Sequence, residues 1–198
     1  MPEEKPPIHH HKALGHLAKE PITDIVKFRI SRLVRLRLPW LLLGLLGGIV
    51  ATLIVRFFEA ALEQKLALAF FIPVIVYMSD AVGTQTETLF IRALAIEKIS
   101  LKRYLLKETA IGFLIGLVLS ALMFLYALLI FGDRPVAVIV GVSLLLGSTL
   151  AVFLATFVPI LLRRFGKDPA VGAGPFTTIL QDIVSLIIYF LVAAAILF

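Results

Sequence analysis

Two stretches of an otherwise apolar chain carry oxygen-bearing side chains at helical spacing. Thr178, Asp182, Ser185 and Tyr189 recur at i, i+4, i+7 and i+11, which puts them on one face of a helix. Asp182 stands seven residues past Pro175, or about 10 Å into that helix. Tyr77, Asp80, Thr84 and Thr88 share a face in the same way, in a run that also holds Gly83, Gln85 and Glu87. A carboxylate inside a membrane span is costly unless it meets a cavity, a partner or an ion, so Asp80 and Asp182 are functional candidates. The donors are oxygens alone. There is no cysteine, and all four histidines (His9, His10, His11, His16) lie in the N-terminal tail. Such a set suits a hard cation. Mg2+ would be held through one or a few carboxylates and its retained waters. Two copies of Asp182 facing each other across a dimer axis would supply two negative charges for one divalent ion.

Three further places have lesser claims. In Gly166-Lys167-Asp168-Pro169-Ala170, Asp168 can cap a helix that starts at Pro169, and it can equally draw a cation to the mouth of a pathway. Arg56, Glu59 and Glu63 have the spacing of a local ion pair. Glu59 and Glu63 could also attract cations at the outer side. His9-His10-His11 could catch a metal, or could simply be a solvated tail.

The elements that must position these residues follow from composition. Of 198 residues, 60% are hydrophobic and 16% charged, and the mean hydropathy is +1.03. That is the balance of a chain buried in lipid. Residues 1–21 read as a flexible tail. Residues 22–38 read as a basic amphipathic helix at the inner leaflet, its arginines near anionic lipid headgroups. Residues 39–198 read as a transmembrane domain of five helices, at about 39–62, 66–95, 109–131, 136–162 and 174–198. Each is long enough for a hydrocarbon core of about 30 Å. Pro73 and the polar run after it interrupt the second, and irregular polar backbone at that depth is tolerated where it lines a cavity.

Charge sets the expected orientation. Sixteen of the 19 Lys and Arg fall in the tail and first helix, after span two, and after span four. With five spans, all three regions share one side. The N-terminus is then cytoplasmic, the C-terminus outside, and the location the cell membrane. The basic excess therefore points to lipid, and no nucleic-acid partner is expected. The odd span number disfavours inverted repeats within the chain, so a symmetric pathway requires oligomerisation.

The motifs resemble one family. Phe71-Ile72-Pro73, then Gly83-Thr84-Gln85-Thr86 and Ile91-Arg92-Ala93-Leu94-Ala95, resemble the second span of MgtE-type magnesium transporters. Pro159, Gly166, Asp168-Pro169-Ala170, Pro175-Phe176, Thr178, Asp182 and Tyr189 resemble that family's last two spans. The resemblance implies a homodimer of five-span chains with a central pore lined by spans two and five. Its transported ion is Mg2+, its main ligand is Asp182, and it needs no organic cofactor. Tyr77, Gly83, Thr84, Gln85, Glu87, Thr88 and Tyr189 would line the pore, with Asp80, Thr178, Ser185 and Asp168 beside Asp182 as metal-site candidates. The family's large cytoplasmic sensor has no counterpart in the roughly 38 residues before the first span, so gating by it is expected not to operate. Its Gly-Asn-Ala-Gly stretch reads Asp80-Ala81-Val82-Gly83 here, which adds a carboxylate.

Three other readings compete with a channel. A carrier coupled to Na+ or H+ would use Asp80 and Glu87 as coupling sites. An intramembrane aspartyl protease would pair Asp80 with Asp182, but the Gly-x-Gly-Asp pattern of such enzymes is missing, so no enzymatic activity is expected. A scaffold without transport of its own leaves Asp182 unexplained.

Overall fold

A computed structural model describes residues 29–96, 100–166 and 169–198. The chain divides after Pro39 into two units. In the first, the described residues from Ile30 onward are helical. The second, residues 40–198, holds everything that follows. The described elements are all helices: α1 (Ile30–Phe57), α2 (Glu59–Gln64), α3 (Ala67–Ile96), α4 (Leu101–Phe131), α5 (Arg134–Arg164) and α6 (Pro169–Leu197). An apolar chain in lipid has no water for its N–H and C=O groups, so it satisfies them within helices.

Four helices are long and apolar enough to cross a membrane: Ala67–Leu94, Leu101–Phe131, Arg134–Arg164 and Ala173–Leu197. These correspond to expected spans two to five. The expected first span differs, because the apolar stretch Leu41–Phe57 is shorter and the helix breaks before residue 62. Phe58 leaves helical geometry at φ −99° and ψ 22°, and its ring stacks on Phe190 of α6 at 5.1 Å. The break also corrects the ion pair expected of Arg56 with Glu59 or Glu63. Arg56 ends one helix and the glutamates belong to another, so i+3 spacing no longer brings them together, and all three are exposed. Of the basic helix expected at 22–38, residues 22–28 lie outside the described part, and Ile30–Leu38 are the opening turns of α1.

The core is built around α5, which packs against α3, α4 and α6. Ile139, Val140 and Leu144 of α5 join Leu68, Phe71 and Ile75 of α3 and Leu186, Phe190 and Ala193 of α6 in one buried cluster. Helix α4 covers one side of α5 through a stripe of small residues. Gly112 meets Val152, and Gly116 meets Leu145 and Ser148. Small side chains let two helices approach closely, the usual way helices associate in lipid. The rest of α4 is largely exposed and apolar, with Leu114, Val118, Leu122 and Leu129 facing outward.

Two contacts tie the ends of the long helices. The Tyr189 hydroxyl donates to the Leu68 carbonyl at 2.8 Å, near the start of α3. Between α4 and α5, Gly132 takes a left-handed conformation at φ +63°, which glycine adopts without the Cβ clash. Asp133 then caps α5. Its Oδ1 accepts from the Val136 N–H at 3.2 Å, and its Oδ2 pairs with the Lys65 ammonium. That hydrogen bond from Lys65, with help from the Val136 N–H, holds the Asp133 carboxyl below the usual carboxylate range.

A depressed folded-state pKa gives stability that is complete above the ordinary carboxylate value and is lost as pH falls through the folded one. Asp133→Asn keeps a capping oxygen but removes the charge. It should therefore flatten the acid limb of the melting-temperature profile below the ordinary carboxylate range. Asp133→Ala loses the cap as well and should cost about 1 kcal/mol at pH 7. Thermal melts of detergent-purified protein across that range check both.

Candidate functional site

The polar run of α3 is divided between two faces. Ser79, Val82, Gly83, Thr86 and Glu87 are buried against neighbouring helices, whereas Tyr77, Thr84, Gln85, Thr88 and Leu89 are exposed. Spacing alone explains the division, since 79, 82, 83 and 86 share one side of a 3.6-residue helix and 77, 84 and 88 another. Thr84, Gln85, Thr88 and Leu89 line a shallow open groove. The Thr88 hydroxyl donates back to the Thr84 carbonyl at 2.9 Å.

On α6 the four-residue face read from the sequence also separates. Thr178 and Asp182 are half-buried at the edge. Ser185 is buried and donates to the Asp182 carbonyl at 3.0 Å. Tyr189 is fully buried, its hydroxyl occupied by Leu68. Helices α3 and α6 run side by side in opposite senses. Glu87 faces Thr177, Gly83 lies against Gln181, and Asp80 is within electrostatic reach of Asp182. Asp80 also acts on Glu87. Three carboxylates on two helices thus share one region. Among the described residues, no three His, Asp or Glu side chains converge closely enough to hold a bare metal ion. Asp168 lies outside the described residues. Glu59 and Glu63 sit on α2, exposed to solvent.

Sequence reasoning missed the residue that joins these helices. Gln181 is 2% exposed, and its Nε2 donates to the Ala151 carbonyl of α5 at 3.1 Å. Its amide fills the space that a side chain at Gly83 would need. One side chain therefore bridges α3, α5 and α6 immediately before Asp182. The available signal was a lone amide beside the aspartate in an otherwise apolar stretch. Glu108 was missed as well, because α4 begins at Leu101 and not near residue 109. It lies two turns inside that helix, 9% exposed, near the Thr86 hydroxyl at 3.4 Å.

Apolar helices packed on a central α5, with polar side chains gathered on α3 and α6, define a multi-pass helical membrane protein. Comparison with known proteins narrows the class. The MgtE family profile, described as "Divalent cation transporter", matches residues 72–192, and the chain belongs to that family. It is similar to "Magnesium transporter MgtE" of Bacillus subtilis (strain 168), 38% identical over 162 residues that cover 80% of this chain and 36% of the relative. It is similar also to the protein of that name from Thermus thermophilus, 39% identical over 165 residues, covering 81% and 36% respectively. The corresponding Enterococcus faecalis protein is 33% identical over 165 residues, covering 80% and 36%. The chain thus spans about a third of the length of these curated relatives.

The interlock of Gly83 with Gln181 generates a reciprocal prediction. Gly83→Ala forces the Gln181 amide out of its place and should lower the melting temperature. Gln181→Ala should lower it too, by breaking the bond to Ala151. The double variant should recover part of the loss, because the new methyl group fills the space vacated by the amide. Melts of the four proteins form a double-mutant cycle, and strict additivity would contradict the packing described.

Proposed function

We propose that the chain transports divalent cations, Mg2+ foremost, through a pore formed by two copies and lined by α3 and α6. The observation that carries this reading is the exposed polar stripe Thr84, Gln85 and Thr88 on a membrane-spanning helix, beside the half-exposed Asp182. Hydroxyl and amide groups facing hydrocarbon are costly, so a hydrated path between two copies is the environment they suit. The relatives carrying the name magnesium transporter support the choice of ion. A divalent ion that keeps its waters needs outer-sphere acceptors and a negative field. Threonine hydroxyls, the Gln85 amide and a pair of Asp182 carboxylates supply both. Asp80 and Glu87 deepen the field from behind, while Thr178 is placed one turn from Asp182.

In this reading α1 crosses the membrane as a fifth span, and its basic opening turns lie at anionic headgroups. The N-terminus is cytoplasmic and the C-terminus outside, the orientation that the distribution of Lys and Arg supports. Asp168 stands at the inner mouth, and Glu59 and Glu63 stand at the outer one. A second reading, a carrier coupled to Na+ or H+, is supported by one observation: Asp80 acts on both Glu87 and Asp182, more acidic groups than a simple hydrated passage needs.

Mg2+ flux into liposomes, with a membrane potential imposed, tests the proposal. Wild-type protein should conduct, and Asp182→Ala should reduce flux on the order of tenfold or more, a barrier change above about 1.4 kcal/mol. Crosslinking through cysteines introduced at Thr84 or Thr88 should give dimers. Equal flux through both proteins would remove Asp182 from the pathway. Flux that appears only with a Na+ or pH gradient would replace the channel with the carrier.

A further inference from the structure

Helices α4 and α5 run antiparallel, in a register fixed by Gly112 against Val152 and Gly116 against Ser148. Counted from Gly112 along α4, Lys102 and Arg103 stand about 14 to 15 Å away by helical rise. Counted from Val152 along α5 in the same direction, Arg163 and Arg164 stand about 17 to 18 Å away. Lys107 is nearer the contact, about 8 Å from the Gly112 level. Five cations from two helices therefore gather at one end of the pair. All five are exposed, and among the described residues none of them makes an ion pair. At the opposite end the charge is balanced, since Lys65 pairs with the Asp133 that caps α5. Glu108, the acidic residue of α4, is buried and faces the Thr86 hydroxyl of α3.

Helices in contact have axes about 8–10 Å apart, so the two basic sets repel each other across the seam where α4 meets α5. The fastening of α4 there is thin. Its small-residue stripe lies further along the helix, and at the basic end Tyr104 rests on Phe90 of α3 with ring centroids 4.9 Å apart. Next to the cations the outer surface is apolar. Leu114 and Val118 of α4 are each 60% exposed and lie on the same helical face as Arg103 and Lys107. On α5, Phe153, Phe157 and Leu161 are exposed and precede Arg164 at i, i+4, i+8 and i+11, again one face. The Phe153 and Phe157 rings stack at 6.2 Å. Apolar side chains ending in Lys and Arg match a molecule with hydrocarbon tails and an anionic head. A free anion would leave the apolar part unused.

We propose that anionic phospholipid is the partner of this end of the bundle and holds α4 on α5. Its phosphates lie over Lys102, Arg103 and Lys107 of one helix and Arg163 and Arg164 of the other, and its chains lie along the apolar faces beside them. The five side chains need not converge on one atom, because headgroups form a layer and the cations stand at similar depth. The negative layer cancels the repulsion between the two helices. This surface is separate from the basic opening turns of α1, and it does not depend on the pore.

Thermal melts of the full chain in nanodiscs test the proposal, with phosphatidylcholine alone compared with equal parts of phosphatidylcholine and phosphatidylglycerol. Wild-type protein should melt about 3 °C or more higher in the anionic discs, and hydrogen exchange in the first turns of α4 should slow. The Lys102→Gln, Arg103→Gln, Lys107→Gln triple variant should lose most of that gain, as should Arg163→Gln with Arg164→Gln. In phosphatidylcholine alone the triple variant should melt no lower than wild type, because neutralising one set also removes the repulsion. Arg56→Gln with Arg134→Gln should keep the full gain. A gain that survives in both neutralised sets, or is lost equally in the Arg56 and Arg134 variant, would overturn the proposal. A triple variant that melts lower or fails to fold in phosphatidylcholine would overturn it too, by showing that these cations serve a contact within the chain. Inorganic phosphate that reproduces the gain in phosphatidylcholine discs would replace the lipid with a free anion.

Discussion

Where α3, α5 and α6 meet, bulk water does not replace a lost hydrogen bond, and the Gln181 side chain is the group that makes the three helices compatible. Its N–H reaches the Ala151 carbonyl of α5, and its amide occupies the gap left by Gly83 of α3. In a medium without competing partners such a bond keeps more of its strength than it would in water. Because Gln181 precedes Asp182, the same lock sets the height and rotation at which that carboxylate meets α3. The aspartate can then stand at the edge of the bundle, half-exposed, without its helix being free to turn.

From that junction the rest of the bundle follows. Helix α5 is apolar and small-sided enough to be enclosed by three neighbours, with Gly147 accepting Ser79 on one side and Ser148 meeting Gly116 on another. Helix α4 closes the lipid side. The Tyr189 hydroxyl fixes the far end of α6 to the start of α3, and the capped turn at Asp133 joins α5 to Lys65. Among the polar groups of α3, Thr84, Gln85 and Thr88 are left without cover. In a family described as divalent cation transporters, a stripe of hydroxyl and amide groups beside an aspartate is chemically suited to a hydrated cation.

Much of this was legible from residue types. Apolar runs located α3 to α6 to within a few residues at most ends, because hydrocarbon thickness sets a minimum length for a spanning helix. Helix α4 starts eight residues before the apolar run that predicts it. Leu101 to Lys107 look polar enough for a loop, yet a helix can continue past the hydrocarbon with its charged residues in the interface. The first apolar run reads as unbroken because Phe58 is itself apolar. Nothing local announces that its ring is needed against Phe190.

Residue identity by itself determined the class of protein, most of the helices and the oxygen-bearing character of the polar groups, and it singled out Asp182 as a candidate. Those depend on transfer free energies and on a period of 3.6 residues, which are properties of one segment at a time. Only the tertiary structure decided which polar side chains are consumed within the chain and which remain open. Tyr189, Ser185, Gly83 and Glu87 turn inward to partners or close neighbours on α3 and α6, while Thr84, Gln85 and Thr88 stay outward. The periodicity of a helix groups side chains by angle, but it cannot say which angle faces a neighbour. That depends on where Gly83 admits Gln181, and therefore on three helices at once.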